Sequence, residues 1–225
     1  VWTQKMTQSV ILQRLVKRYA MSGTRGELEN LAWMFQAAPD KASSDILMAG
    51  FEQSFEGRSL ANLPVSLLEQ IRAAGGGSLK LKARLGDPAA IATAIETVVN
   101  TNAPAQQRQS LISVLGQISA PAAIEPLLGI LGSTADKSIK QAALNALQGF
   151  ETGDIATKTL AAYLKFSQET QVVAQSLLAS RADWTVQLLQ QVQEKKIPVD
   201  SIRQEAILTM LLHDNEEIKS QVVKL

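Results

Sequence analysis

Pro88-Ala89-Ala90-Ile91 returns as Pro121-Ala122-Ala123-Ile124, 33 residues further on. Letters downstream keep that offset: Gln106, Leu111, Val114 and Gly116 align with Ile139, Leu144, Leu147 and Gly149. A third unit extends it, with Leu127 matched to Leu160, Leu131 to Leu164, Ile139 to Val172 and Leu144 to Leu177. A period near 33 made of two short apolar helical patterns marks a helical solenoid, in which each pair of helices buries its face against its neighbours. The expected fold is all-α, an α-α superhelix of roughly 13–14 helices.

Each unit reads as helix, turn, helix. Pro88 and Pro121 suit a first helical position, where a missing amide hydrogen costs nothing. In the second unit Ala123, Leu127, Leu128 and Leu131 form the buried stripe of the first helix, and Gly132 to Ala135 form the turn. Asp136 then caps a partner helix in which Ile139, Ala143, Leu144, Leu147 and Phe150 recur every three or four residues. After Arg181 the strict period lapses, with helices expected from Asp183 to Lys195, from Asp200 to Leu212 and from Glu216 onward.

Upstream of Pro88 the helices are less regular. Thr7 is placed as the cap of a first helix with Val10, Ile11, Leu15 and Val16 on one face and Gly23 past its end. Thr24 opens a second helix through Leu28, Leu31, Ala32 and Phe35, and Asp40 a third through Ile46, Leu47, Phe51 and Phe55. A fourth follows Pro64, with Val65, Leu67, Leu68 and Ile71 inside. Gly75-Gly76-Gly77-Ser78 reads as a loop, since neither the lysine-hydroxyl pair of a phosphate loop nor a flanking strand accompanies it. A short helix from Leu79 to Leu85 leads on. The expected organisation is irregular hairpins over residues 1–86 and regular repeats over 87–225, joined as one continuous solenoid.

Composition limits the chemistry. The chain is 46% hydrophobic with 4% aromatic residues, which suits helices packed through small side chains. Cysteine is absent, so disulfides, thiolate metal sites, cysteine nucleophiles and covalent haem attachment are excluded within these residues. Apolar runs such as Ala206 to Leu212 fall short of the roughly 20 residues of a membrane helix. A formal net charge of +1 provides no broad field for nucleic acid. The chain starts at Val1 and stops at Leu225 within a helical pattern, which reads as a piece of a longer protein.

Asp136-Lys-Ser-Ile139-Lys140-Gln-Ala-Ala143-Leu144-Asn-Ala146-Leu147 resembles the second helix of a HEAT repeat, and Asn215 to Lys219 echoes its start. That resemblance implies first helices on a convex side and second helices lining a concave surface. A more particular resemblance is carried by Arg14-Leu15-Val16-Lys17-Arg18, Ala49-Gly50-Phe51 through Glu56-Gly57-Arg58, Leu63-Pro64 and Leu85-Gly86-Asp87-Pro88. Ile197-Pro198-Val199-Asp200, Leu211-Leu212-His213-Asp214 and Glu217-Ile218-Lys219 continue it. Together these segments are similar to the HEAT-like middle region of membrane-bound dehydrogenases of planctomycetes and their relatives. In that family a sugar-dehydrogenase-like propeller precedes the helical region and a cytochrome c domain follows it. The resemblance implies a periplasmic or exported setting in which the solenoid spaces or docks neighbouring protein domains, and it transfers no catalytic or haem residue to this chain.

Among individual residues, Gln107, Arg108, Lys140 and Gln141 are the candidate binding positions, because they recur one period apart on the second helices. His213, the one histidine, reads as a turn residue, and Asp136 and Asp154 as helix caps. Trp2, Trp33 and Trp184 read as packing residues. Lys5, Arg14, Lys17, Arg18 and Arg25 precede any acid, yet Arg108, Lys137 and Lys140 are offset by acids such as Glu125, Asp136 and Glu151, which breaks up any continuous basic groove. No catalytic set, metal set or cofactor motif stands out. The expected function is a non-catalytic scaffold or protein-interaction module, no enzyme in itself, within a larger sugar-dehydrogenase-like redox protein. Two alternatives stay open: a free-standing peptide- or nucleic-acid-binding adaptor, and a lyase-type enzyme built on helical repeats.

Overall fold

A computed structural model describes residues 2, 4–133, 136–152 and 154–224, the side chains of Gln8 and Ser9 excepted. Thr134 and Ala135, assigned above to a turn, lie outside the described residues, as does Leu225. Fourteen α-helices and no strand occur among the described residues, so the chain is an all-α helical-repeat protein. It divides into two compact units, Val1–Ala90 and Ile91–Leu225.

In the first unit α1 (Leu12–Ser22) lies beside α3 (Lys41–Ser54), and α2 (Arg25–Gln36) beside α4 (Val65–Ala73). The core holds Val16, Leu31, Leu47, Phe51, Leu67 and Ile71. Asp40 caps α3 by accepting the Ser43 amide at 2.8 Å, as its spacing requires. Gly23 ends α1 in the left-handed region at φ 64°. The short α5 (Leu79–Arg84) follows the glycine loop.

The start of α1 departs from expectation. Thr7 is not a cap, because helix already runs from Lys5 and passes through a π turn, Thr7–Ile11. Thr7 and Leu12 are both buried, five residues apart, and burial then continues at Val16 and Ala20 with spacing four. The extra residue of the π turn brings Thr7 onto the stripe set by Leu12, Val16 and Ala20, and Val10 and Ile11, expected inside, lie opposite that stripe and face solvent. Val65, also expected inside, is exposed beside Pro64 at the entrance to α4.

In the second unit two layers alternate. One contains α8 (Ile124–Gly132), α10 (Asp154–Tyr163), α12 (Ala182–Gln193) and α14 (Glu216–Val222), each against the next. The other contains α7 (Ala105–Gln117), α9 (Lys137–Leu147), α11 (Gln168–Ala179) and α13 (Gln204–Leu211), again each against the next. α6 (Pro88–Val99) opens on Pro88, whereas Pro121 opens a 3-10 turn, Pro121–Ala123, that runs into α8. Asp87 accepts the Ala89 and Ala90 amides at 2.9 and 3.2 Å, capping α6.

Burial shows that the period shortens along this unit. Buried Ala90, Ala94 and Val98 correspond to Ala123, Leu127 and Leu131 at the expected 33. Leu111, Ile112, Val114 and Leu115 of α7, however, correspond to Ala143, Leu144, Ala146 and Leu147 of α9, an offset of 32. From α9 to α11 it falls to 31, with Ile139, Ala143, Leu144 and Leu147 answered by Thr170, Ala174, Gln175 and Leu178. Three of the expected third-unit matches therefore fail. Leu164 is 66% exposed beyond the end of α10, and Leu160 and Val172 are only half-buried where Leu127 and Ile139 are buried. In helices rich in Ala and Leu, matching letters recur at several offsets, and only burial selects the register.

Two glycines let the α7 and α9 backbones meet. A Cβ on Gly116 would stand 2.7 Å from the Cα and Cβ of Ala146, and one on Gly149 would stand 2.7 Å from the Gly116 carbonyl oxygen. The pair recognised as a repeat in sequence thus serves one interface from both sides.

Candidate functional site

The four candidate binding residues do not form one exposed set. Arg108 is only 7% exposed, and its Nε donates to the Val98 carbonyl oxygen at 2.8 Å, tying the start of α7 to the end of α6. Gln107 is exposed, while Lys140 and Gln141 are half-buried. By the burial register Arg108 is equivalent to Lys140, and Lys140 to Gln171. Gln171 repeats the Arg108 device, its Nε2 donating to the Tyr163 and Phe166 carbonyls, each at 3.4 Å. At Arg108 and Gln171 this position braces a hairpin by donating to carbonyls at the end of the preceding helix, while Lys140 makes no such bond among the described residues.

A buried polar centre lies where the period is lost, and sequence reading missed it. Gln175 is buried, its Nε2 donating to Tyr163 Oη at 2.7 Å and to the Ser201 carbonyl at 2.9 Å, while its Oε1 accepts the Arg203 amide at 2.9 Å. The irregular stretch 199–203 carries backbone groups with no helical partner, and one amide side chain supplies both a donor and an acceptor to them. Burial raises the Tyr163 pKa, with the Gln175 and Ser201 hydrogen bonds pulling the other way. The clue in sequence was polarity: Gln175 sits at the burial position of Leu144.

His213 Nε2 lies 2.8 Å from the Ala179 carbonyl oxygen. A carbonyl only accepts, so the ring nitrogen there carries the proton and the histidine ties the 212–215 turn to the end of α11. Asp136 occupies the cap position of α9, with its carbonyl accepting from Ile139 and Lys140, but its carboxylate makes no cap bond. Asp154 is the first residue of α10, where a carboxylate favours the helix dipole. Trp184 is buried under the Arg181 guanidinium, 5.1 Å from its ring centroid, and Trp2 packs on the first core. Trp33, expected to pack, is exposed on the solvent side of α2.

The glycine loop borders a cavity of about 470 Å³ lined by Arg72, Gly75, Gly76, Lys82 and Asp87 among others. Gly75, Gly76 and Gly77 all have positive φ, at 94°, 73° and 74°. Their hydrogen bonds turn inward: the Gly75 and Gly76 amides donate to Arg72 and Ile71 carbonyls at 3.0 and 2.8 Å, and the Ser78 amide to Glu52 Oε1 at 2.6 Å. No group of three or more metal-ligating side chains occurs among the described residues. No helix among them is long and apolar enough to cross a membrane.

Compared with known proteins, the chain matches no family model, no curated protein and no solved structure.

Proposed function

We propose that this chain is a scaffold: a HEAT-like module that holds other protein domains in position and performs no reaction of its own. The setting we infer is a larger exported redox protein with a dehydrogenase-like propeller and a cytochrome c domain as its neighbours. The observation that supports this reading is where the polar side chains go. Arg108, Gln171, Gln175 and His213 each direct a nitrogen at a backbone carbonyl that joins one helix end to another. Groups placed this way stiffen a stack of helices, and stiffness over a long surface is what positioning other domains requires.

The test has two arms. Residues 1–225 produced alone are expected to fold and to leave sugars untouched when an electron acceptor is added; turnover would sink the scaffold reading. The parent reading frame is expected to encode a Cys-x-x-Cys-His haem motif downstream, and the separately produced propeller or cytochrome domain to bind residues 1–225. Absence of both would remove the redox setting.

A further inference from the structure

We propose that the outward stripe of α1 with its π turn is a docking site for an acidic amphipathic helix of a partner protein. The choice of a protein partner rests on the scaffold reading; the stripe itself rests on geometry. Val10, Ile11, Arg14, Lys17, Arg18 and Met21 follow the spacing of a single helix face, opposite the buried Leu12, Val16 and Ala20. Val10, Ile11 and Met21 are 37%, 41% and 56% exposed, and Met6, 70% exposed, lies one turn before them. The stripe begins within the π turn, whose extra residue puts Thr7 on the buried side with Leu12, and such turns recur at functional sites.

Charge selects the occupant. Five basic residues, Lys5, Arg14, Lys17, Arg18 and Arg25, precede the first acid, Glu27, although the whole chain is nearly neutral. Arg25 is paired with Glu29 at 3.0 Å. Arg14, Lys17 and Arg18 are exposed, and no described residue forms an ion pair with them. Three unpaired cations at the centre of a stripe, with aliphatic side chains at both ends, match a helix carrying carboxylates between two apolar contacts. Spacings of three and four residues are those by which one helix seats on another.

Other anionic occupants fit less well. A nucleic-acid backbone would use the cations and leave Val10, Ile11 and Met21 without a role. A lipid surface favours a broad apolar face, and α1 buries its own against α3, where a Cβ on Gly50 would stand 3.3 Å from Val16 Cβ.

The experiment is fluorescence anisotropy with a labelled alanine-based helical peptide whose one stripe carries leucine at both ends and three glutamates between. Wild-type chain is expected to bind it, more weakly as salt rises. Replacing Arg14, Lys17 and Arg18 together by Gln is expected to weaken binding about tenfold, on the scale of three exposed ion pairs. Reversing all three to Glu should abolish binding and transfer affinity to the peptide with lysines in place of glutamates. V10S with I11S should weaken binding severalfold with the salt dependence kept. All these positions are exposed, and circular dichroism checks that the variants stay helical. Equal binding by wild type and the triple Glu variant would overturn the proposal. So would a failure of wild type to bind the peptide while it binds phosphatidylserine vesicles or duplex DNA through the same cations. Either result would leave the scaffold reading to its own test, which is turnover by the isolated chain.

Discussion

Residues 1–90 and residues 91–225 bury their helices by different means. In the first unit each joint is particular. Phe51 and Phe55 stack at 4.6 Å, Arg58 covers the Phe55 ring at 4.9 Å while donating to the Ala20 carbonyl at 2.9 Å, and Arg84 donates to the carbonyls of Phe55, at 3.0 Å, and Arg58. In the second unit some joints recur at equivalent positions: Gly116 and Gly149 both serve the α7–α9 interface, and Arg108 and Gln171 each brace a hairpin through a carbonyl. Ion pairs at differing positions, Lys158 with Glu125 at 2.6 Å, Lys137 with Glu169 at 3.3 Å and Arg181 with Glu151 at 3.3 Å, add links from one helix pair to the next. A joint made once leaves no period in the chain, and a joint made again does, so the repeat is visible after Pro88 and fades before it.

The sharpest way to break this contrast is to wedge each unit separately. Gly116→Leu drives a side chain into the Ala146 backbone, so a loss of about 3 kcal/mol or more is expected. Hydrogen exchange should localise the lost protection to residues 91–225. Gly77→Ala is the counterpart in the first unit, since its Cβ would meet Leu81 Cδ2 at 2.8 Å and Met48 Sδ at 3.0 Å with φ at +74°. A cost of about 2 kcal/mol is expected, with the lost protection confined to residues 1–90. Equal loss across both units from either substitution would show that they do not unfold as separate bodies.

Gln175→Ala should cost about 2 kcal/mol in chemical denaturation, because Tyr163 Oη loses a buried partner and the 199–203 stretch loses its anchor. A cost below a few tenths would mean that helix stacking alone holds this stretch. Tyr163 adds a pH signature. Its pKa lies above the ordinary 10.0, so the unfolded chain ionises first, and the stability present below that pH falls as pH rises towards the folded value. Denaturation followed from neutral pH upward should show this alkaline decline, and Tyr163→Phe should remove that part of it. The smallest effect is expected at the repeat-to-repeat ion pairs. Both partners of Lys158 and Glu125 are well exposed, so Lys158→Ala should change stability by about 0.5 kcal/mol or less. A much larger loss would make these pairs structural supports and not surface matches.

The two regions also differ in how legible they are. Helix starts set by local chemistry, such as Asp40 and Pro88, and a helix end set by Gly23, follow from the residues next to them. The register of the third repeat does not, because Leu164 and Val172 are interchangeable with their neighbours as letters and differ only in burial. The candidate site is legible in one respect and misleading in another. Arg108 and Gln171 do share a role, but that role is to brace hairpins, because which helix-end carbonyl lies within reach of a side chain cannot be seen from composition. Val10 and Ile11 are apolar letters expected inside, but the buried stripe is set by Leu12, Val16 and Ala20, which places both on the opposite side of the helix.

By itself the sequence determined that the chain is built of short helices in pairs, because apolar spacing, caps and helix-breaking residues act over a few positions. Tertiary structure alone decided which repeat offset holds, that Gln175 must bridge an irregular stretch, and that α1 shows solvent a cationic and aliphatic face. Those outcomes depend on which side of a helix another helix covers, and that is settled by packing between residues far apart in the chain.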